Sequence, residues 1–243
     1  MEALGKYFLF LGKLLVNRES FGTYVKLVID ECMAIGINSI FLVSLVSFFM
    51  GAVTTIQTAY NLVSPLIPDY VISLVVRDMT ILELAPTIIG VIYAGKVGSS
   101  MASGLGTMRI SEQIDALEVM GINSTSYLVL PKLLGSLFMY PLLVILAGLL
   151  SIVGGYLAGQ LTGVITPTEY VYGIRFEFNP YMVTFAMIKS FVFAFLVATI
   201  SSFKGYYTTG GAVEVGKAST SAVTQSVIAI LTADYLLAQL LLK

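Results

Sequence analysis

Two stretches of this chain carry no charged residue at all, Cys32 to Pro68 and Leu133 to Thr168. A bilayer hydrocarbon core about 30 Å thick is crossed by roughly 20 apolar residues in a helix, and each stretch is longer than that. The rest of the composition agrees. Of 243 residues, 57% are hydrophobic and 11% charged, where globular chains carry about 25% charged residues. Thirteen Lys and Arg with fourteen Asp and Glu cannot cover a soluble domain of this length with a polar surface. The chain therefore reads as an all-α, polytopic membrane protein.

Helical spans are expected over residues 34–56, 70–103, 127–163, 181–203 and 221–242. Asn61, Pro65 and Pro68 mark the first connection. The span over 70–103 is punctuated by Arg77, Asp78, Glu83 and Lys96, and is needed to place the basic loops consistently. Five spans put the termini on opposite sides. Lys6, Lys13, Arg18 and Lys26 precede the first span, Lys96, Arg109 and Lys132 flank the second connection, and Lys204 and Lys217 sit in the fourth. Arg175 stands nearly alone in the others, so the N-terminus is expected to be cytoplasmic and Lys243 to lie on the far side. Residues 1–30 lack a small-residue cleavage site and are not expected to be a signal peptide. Lys6, Lys13 and Arg18 among Tyr7, Phe8, Phe10, Leu14 and Leu15 suggest an amphipathic helix lying in the interface.

Several chemistries are excluded at once. With no His and one Cys, Cys32, the chain has no internal disulfide and no His-based metal site or catalytic pair. A net charge of −1 leaves no footprint for nucleic acid. Gly211-Ala-Val-Glu-Val-Gly216-Lys217-Ala218 matches G-x-x-x-x-G-K, but Ala218 replaces the magnesium-binding hydroxyl residue and a membrane span precedes it where a strand is required. No nucleotide site is expected there. Asn123-Ser124-Thr125 is a formal glycosylation sequon in an expected cytoplasmic loop, and is read as chance.

Three features invite a functional reading. Glu83, Lys189 and Asp234 lie inside expected spans at about 2.5–3.5 kcal/mol each; either they pair between helices, Lys189 with Glu83 or Asp234, or they line a transport path. Residues 109–120 place Ile110, Ile114 and Leu117 on one helical face, with Gly121 as a stop. That helix either packs on the bundle or docks a cytoplasmic partner. Gly155, Gly159 and Gly163 form a small-residue face suited to packing within the chain or to self-association. A small ion-coupled secondary transporter using Glu83, Lys189 and Asp234 as a relay is the alternative, though five unequal spans show no inverted repeat. An intramembrane protease would need a second membrane Asp beside Asp234.

The run Tyr93-Ala-Gly-Lys-Val-Gly-Ser-Ser-Met-Ala-Ser-Gly-Leu-Gly-Thr-Met-Arg-Ile-Ser-Glu-Gln-Ile-Asp-Ala-Leu-Glu-Val-Met-Gly121 closely resembles the MlaE (YrbE) permease family. The resemblance extends from about Val28 to the C-terminus, through Leu82-Glu83-Leu84-Ala85-Pro86, Ile188-Lys189-Ser190, Gly205-Tyr206, Gly216-Lys217-Ala218-Ser219-Thr220 and Asp234. It implies the permease subunit of an ABC transporter that moves phospholipids between inner and outer membranes and maintains outer-membrane lipid asymmetry. It implies a homodimer in the bacterial inner membrane, a separate MlaF-like ABC ATPase holding ATP and Mg, an MlaD-like periplasmic MCE-domain protein, and no cofactor on this chain. Residues 107–121 would then be the coupling helix, with Arg109, Glu112, Gln113, Asp115 and Glu118 facing the ATPase. Reversal of Glu112 and Asp115 to Lys is expected to uncouple it. Phe48, Val53, Leu74, Leu82 and Glu83 are the implied lipid-binding positions. Where some members carry Arg just before the residue matching Glu83, this chain has Leu82.

Overall fold

The computed structural model describes residues 2–14, 21–62 and 67–241, so Leu15, Arg18, Pro65, Leu242 and Lys243 lie outside it. All regular structure among the described residues is helical. In chain order the elements are α1 (Glu2–Lys13), α2 (Phe21–Asn61), α3 (Tyr70–Met79), the π-helical π1 (Thr80–Ile88), α4 (Ile89–Tyr93), π2 (Ala94–Gly98), α5 (Ser99–Ile110), α6 (Gln113–Val119), α7 (Ser124–Thr162), α8 (Pro167–Arg175), α9 (Tyr181–Tyr206) and α10 (Ala212–Leu241). Four of them, α2, α7, α9 and α10, are long and apolar enough to cross a bilayer.

The helices overrun the lengths that hydropathy suggests. The apolar stretch over 34–56 is the middle of α2, which at 41 residues is about 60 Å long, well beyond the hydrocarbon. Likewise α10 begins nine residues before the expected 221. The stretch over 70–103 is helical throughout, but two π turns divide it into short pieces and it is not one of the four. Pro86 explains the first. It has no N–H for the carbonyl of Leu82 four residues earlier, and its ring crowds that carbonyl, so the backbone widens into a π turn, a distortion common at functional sites.

The chain forms two compact units, one of Met1–Ser39, Gly90–Tyr140 and Phe191–Lys243, the other of Ile40–Ile89 and Pro141–Ser190. In the first, the small residues of the Tyr93–Gly121 run have a packing purpose. Gly98 lies against Val197 and Ser201 of α9, the Ala102 backbone against Gly205, and Gly106 against Thr208 and Val215. This small-xxx-small ladder brings α5 close to α9 and α10, as small residues do in membranes. Ser99 and Ser219 hydroxyls meet at 2.9 Å across α5 and α10. Helix α1 docks on the end of α9, where Phe10, fully buried, packs edge-on against Phe203 and Tyr7 donates to Thr199 Oγ1 at 2.7 Å. Phe8 and Leu9 on its other face stay exposed.

In the second unit, α2 and α7 cross at van der Waals contact between backbones. A methyl on Gly51 would collide with the Ser151 carbonyl, one on Gly154 with the Phe48 carbonyl, and one on Gly155 with Thr55 and Tyr170. Gly155 and Gly159 are thus used for packing within the chain, while Gly163, at φ +70, ends α7 in a turn that favours glycine. Helix α8 starts with a complete capping box, Thr166 with Glu169, and Pro167 in its first turn. Its far end is held by Arg77 of α3, 2% exposed, whose Nη1 donates to the Ile174 and Phe176 carbonyls at 2.8 Å each. Asp78 balances that charge at 2.7 Å.

Candidate functional site

The second unit places a charged group in apolar surroundings. Lys189, on α9, is fully buried. Its Nζ donates to Glu83 Oε1 at 2.8 Å and to the Leu82 carbonyl at 2.9 Å, and lies 4.7 Å from the centre of the Phe185 ring. The acceptor at Leu82 is the carbonyl that Pro86 cannot serve, so one proline both forces the π turn and frees a ligand for the lysine. Glu83 is different from its partner: its side chain is 48% exposed, and Thr87 donates to its other oxygen at 3.3 Å. The pairing of Lys189 with Glu83, one of the two the sequence allowed, is made within this unit. The same elements, π1 and α9, join α7 around a wholly apolar cavity of about 240 Å3, lined by Ile81, Ala85, Val144, Gly148 and Met187 among others.

The lipid-binding candidates Phe48, Val53, Leu74, Leu82 and Glu83 all fall in this unit, and none is buried. Val53 is half exposed. The structure adds Arg77, which sequence reading treated only as punctuation of a span, and the backbone carbonyl of Leu82, which no side-chain pattern announces.

In the first unit, the helix expected over 107–121 is two helices. Helix α5 ends at Ile110, Ser111 donates back to the Thr107 carbonyl at 2.8 Å, and Glu112 takes a left-handed conformation at φ 60 before α6 begins. Arg109 closes this corner by pairing with Asp115 at 2.6 Å. Ile114 is fully buried beneath. At the other end Gly121, at φ +81, lets its N–H reach Glu118 and that of Ile122 reach Leu117, a Schellman stop. Glu118, though exposed, is anchored at one oxygen: Ser124 and Tyr206 hydroxyls donate to its Oε1 at 2.8 and 2.9 Å. The Ser124 bond, then that of Tyr206 and the Arg109 and Lys13 charges, hold this carboxyl below its usual value against the opposing effect of burial. Of the five coupling candidates, Arg109, Asp115 and Glu118 therefore make contacts within the chain, while Glu112 and Gln113 face solvent. Val119 and Met120, 89% and 65% exposed, join them. These two fall off the Ile110, Ile114, Leu117 face, which was the available sign that they point outward.

The nucleotide-like segment is not a phosphate loop. Gly216 and Lys217 lie inside α10, and Lys217 pairs with Glu214 one turn earlier at 3.3 Å.

Residues 28–240 match the family described as Permease MlaE. The chain belongs to the MlaE permease family. It is 34% identical over 242 residues to a probable ABC transporter permease protein of Rickettsia bellii, covering all of this chain and 93% of that one. It is 36% identical over 220 residues to a probable ABC transporter permease protein of Rickettsia prowazekii, covering 90% and 85%. Over 164 residues, 64% of this chain and 44% of the other, it is 35% identical to the chloroplastic protein Trigalactosyldiacylglycerol 1 of Arabidopsis thaliana. This MlaE permease is thus a multi-pass membrane subunit of an ABC transporter, and ATP hydrolysis belongs to a partner ATPase. The ion-coupled relay is set aside by that membership.

Proposed function

We propose that this MlaE permease moves phospholipids between the inner and outer membranes, and so maintains outer-membrane lipid asymmetry. The observation that carries this reading is a half-exposed carboxylate, Glu83, fixed by a fully buried ammonium, Lys189, on the same elements that line an apolar cavity. A phospholipid needs both, a polar contact for its head and apolar wall for its chains. At about 240 Å3 the cavity takes a length of one acyl chain; sites enclosing a whole small molecule span roughly 300–1,000 Å3. The remaining wall comes from a second copy. Among the four long helices, α10 and α2 are the least covered, with 17% and 28% of their apolar windows buried against 39% and 50% for α7 and α9. A homodimer through these helices surrounds the cargo with Phe48, Val53, Leu74 and Leu82. The name of the Arabidopsis relative, that of a diacylglycerol-based galactolipid, is in keeping with lipid cargo.

The permease sits in the bacterial inner membrane with its N-terminus cytoplasmic and C-terminus periplasmic, the side assigned by its Lys and Arg. The 70–103 segment supplies the fifth crossing, and α1 lies in the cytoplasmic interface. On the cytoplasmic side the tip of α6, Glu112, Gln113, Val119 and Met120, seats in an MlaF-like ATPase. ATP and Mg are held there and no cofactor is held on this chain. An MlaD-like MCE-domain protein receives or supplies lipid on the periplasmic side. ATP-driven closure of the ATPase pair reaches the spans through α6, because the Arg109–Asp115 bridge and the Glu118 hydroxyl contacts make α6 move with α5, α7 and α9.

The test is ATP-dependent transfer of a fluorescent phospholipid by the permease reconstituted with its ATPase and MCE partners. Glu83→Leu is expected to lower transfer at least about tenfold while the partners stay bound. Transfer at the wild-type rate would refute the assignment of Glu83 to cargo.

A further inference from the structure

The first unit contains a second cavity, of about 150 Å3, whose wall is mixed rather than apolar. It lies between α2, π2, α5 and α7, and its polar lining includes Glu31, Asn38, Ser39, Lys96, Ser100 and Lys132. Lys132 and Glu31 form an ion pair, 21% and 26% exposed. Lys96, carried by the second π turn, donates to the Asn38 carbonyl of α2, and no carboxylate pairs with it among the described residues. A carbonyl accepts a proton bond without cancelling charge, so the cavity keeps one net positive charge. The fourth observation is independent of the lysines. Ser39 Oγ is buried, at 3% residue exposure, and has no hydrogen-bond partner, although it lines this cavity. Buried hydroxyls are almost always satisfied, and a serine within a helix can bond the carbonyl one turn back; this one does not.

We infer that this cavity binds a phosphate group, taken either from a membrane phospholipid head or from free inorganic phosphate. Two ammonium groups exclude a metal cation as occupant. Several donors around a small space suit a group with many acceptor oxygens, and charge-assisted bonds of this kind are the strong ones. The volume holds a few waters at about 30 Å3 each, which is the scale of a phosphate rather than of acyl chains. Unlike the Glu83–Lys189 site, it has no apolar chain-sized wall, so it anchors a head group and does not carry a lipid. The inference does not rest on phospholipid being the cargo.

The full-length permease, purified with its ATPase and stripped of lipid, is titrated with phosphatidylglycerol, with a digalactosyl lipid that has no phosphate, and with radiolabelled orthophosphate. Bound lipid is counted by native mass spectrometry and orthophosphate by equilibrium dialysis. Lys96→Gln, which gives up only a bond to a carbonyl, is expected to weaken phosphatidylglycerol binding about tenfold. Glu31→Gln removes the single acid and is expected to tighten it about threefold. The galactolipid should respond to neither variant. The same pair of responses seen with orthophosphate alone supports the site and assigns free phosphate as its source. Binding of both phosphate ligands unchanged by Lys96→Gln overturns the inference. So does a weakening by Glu31→Gln, which is what a merely structural ion pair produces. Lys189→Met, in the other unit, separates this result from any failure of the cargo reading, because it leaves the phosphate site intact.

Discussion

At the scale of residues, the two members of the membrane ion pair are not equivalent. Lys189 is fully buried and Glu83 half exposed, so the ammonium depends on protein groups for its charge partner, whereas a carboxylate left without the lysine reaches polar surroundings. Glu83→Leu should therefore cost more stability than Lys189→Met, about 3 kcal/mol against about 1 kcal/mol. Thermal unfolding of the two variants in one detergent checks this, and equal losses would show that burial does not set the asymmetry. Arg77 makes a comparable prediction. Arg77→Met removes two charge-assisted bonds to the end of α8 and should destabilise it by about 3 kcal/mol, read as faster hydrogen exchange at the end of α8 with α9 unchanged. Glu83, Lys189 and Asp234 could be singled out in the sequence because charges are rare in apolar runs. Which of them pair could not, since that depends on helices brought together by folding. Beyond its neighbour Asp78, Arg77 was legible only as a charge, for the partners that tie it to α8 are backbone carbonyls almost a hundred residues away and carry no side-chain signal.

At the scale of elements, glycine sets how closely α2 and α7 approach. Gly154→Ala, aimed at the Phe48 carbonyl, must push the helices apart, at about 1–3 kcal/mol. Gly95→Ala, where nothing lies within reach of the added methyl, should be neutral or slightly stabilising by helix propensity. A melting series that ranks the two in reverse would contradict the packing described. The attachment of α6 is pH-dependent through Glu118. Its carboxyl titrates below the ordinary 4.5 in the folded protein, so its stabilisation is complete above about pH 4.5 and is lost as the pH falls through the lowered folded value. Hydrogen exchange in α6, corrected for intrinsic rate, should be steady above that range and rise below it. Tyr206→Phe, which deletes one lowering bond, should move the rise to higher pH; no movement would mean that the hydroxyl does not hold the carboxylate. The long apolar helices were legible because hydropathy reports burial in lipid directly. Their ends were not, as α2 and α10 continue in polar sequence that tertiary contacts keep helical. The corner at Ser111 and Glu112 was hidden too, because the Ile110, Ile114, Leu117 spacing runs through it unbroken.

At the scale of the whole molecule, an ABC permease has to join the movement of its cargo through the spans to an ATPase outside them. Asp115 is engaged by Arg109, so reversing it to Lys would disturb the corner itself as well as any docking. The cleaner variants are Glu112→Lys and Val119→Asp, both on exposed side chains, which should abolish co-purification of the ATPase and leave the melting temperature of the permease unchanged. Retention of the ATPase by both would move the docking surface elsewhere. Family and helical class were legible from the Tyr93–Gly121 run and the charge-free stretches, and the outward pair Val119 and Met120 from their place off the Ile110, Ile114, Leu117 face, whereas the contacts that tie down Arg109, Asp115 and Glu118 were not, because they depend on the fold. The most direct measurement is native mass spectrometry of the complex pulled from cells through a tag on this chain, with its lipids identified in the same spectrum. Two copies of the permease with an ATPase, an MCE-domain protein and retained phospholipid are predicted. A monomeric, lipid-free chain across several mild detergents would contradict the dimeric lipid permease.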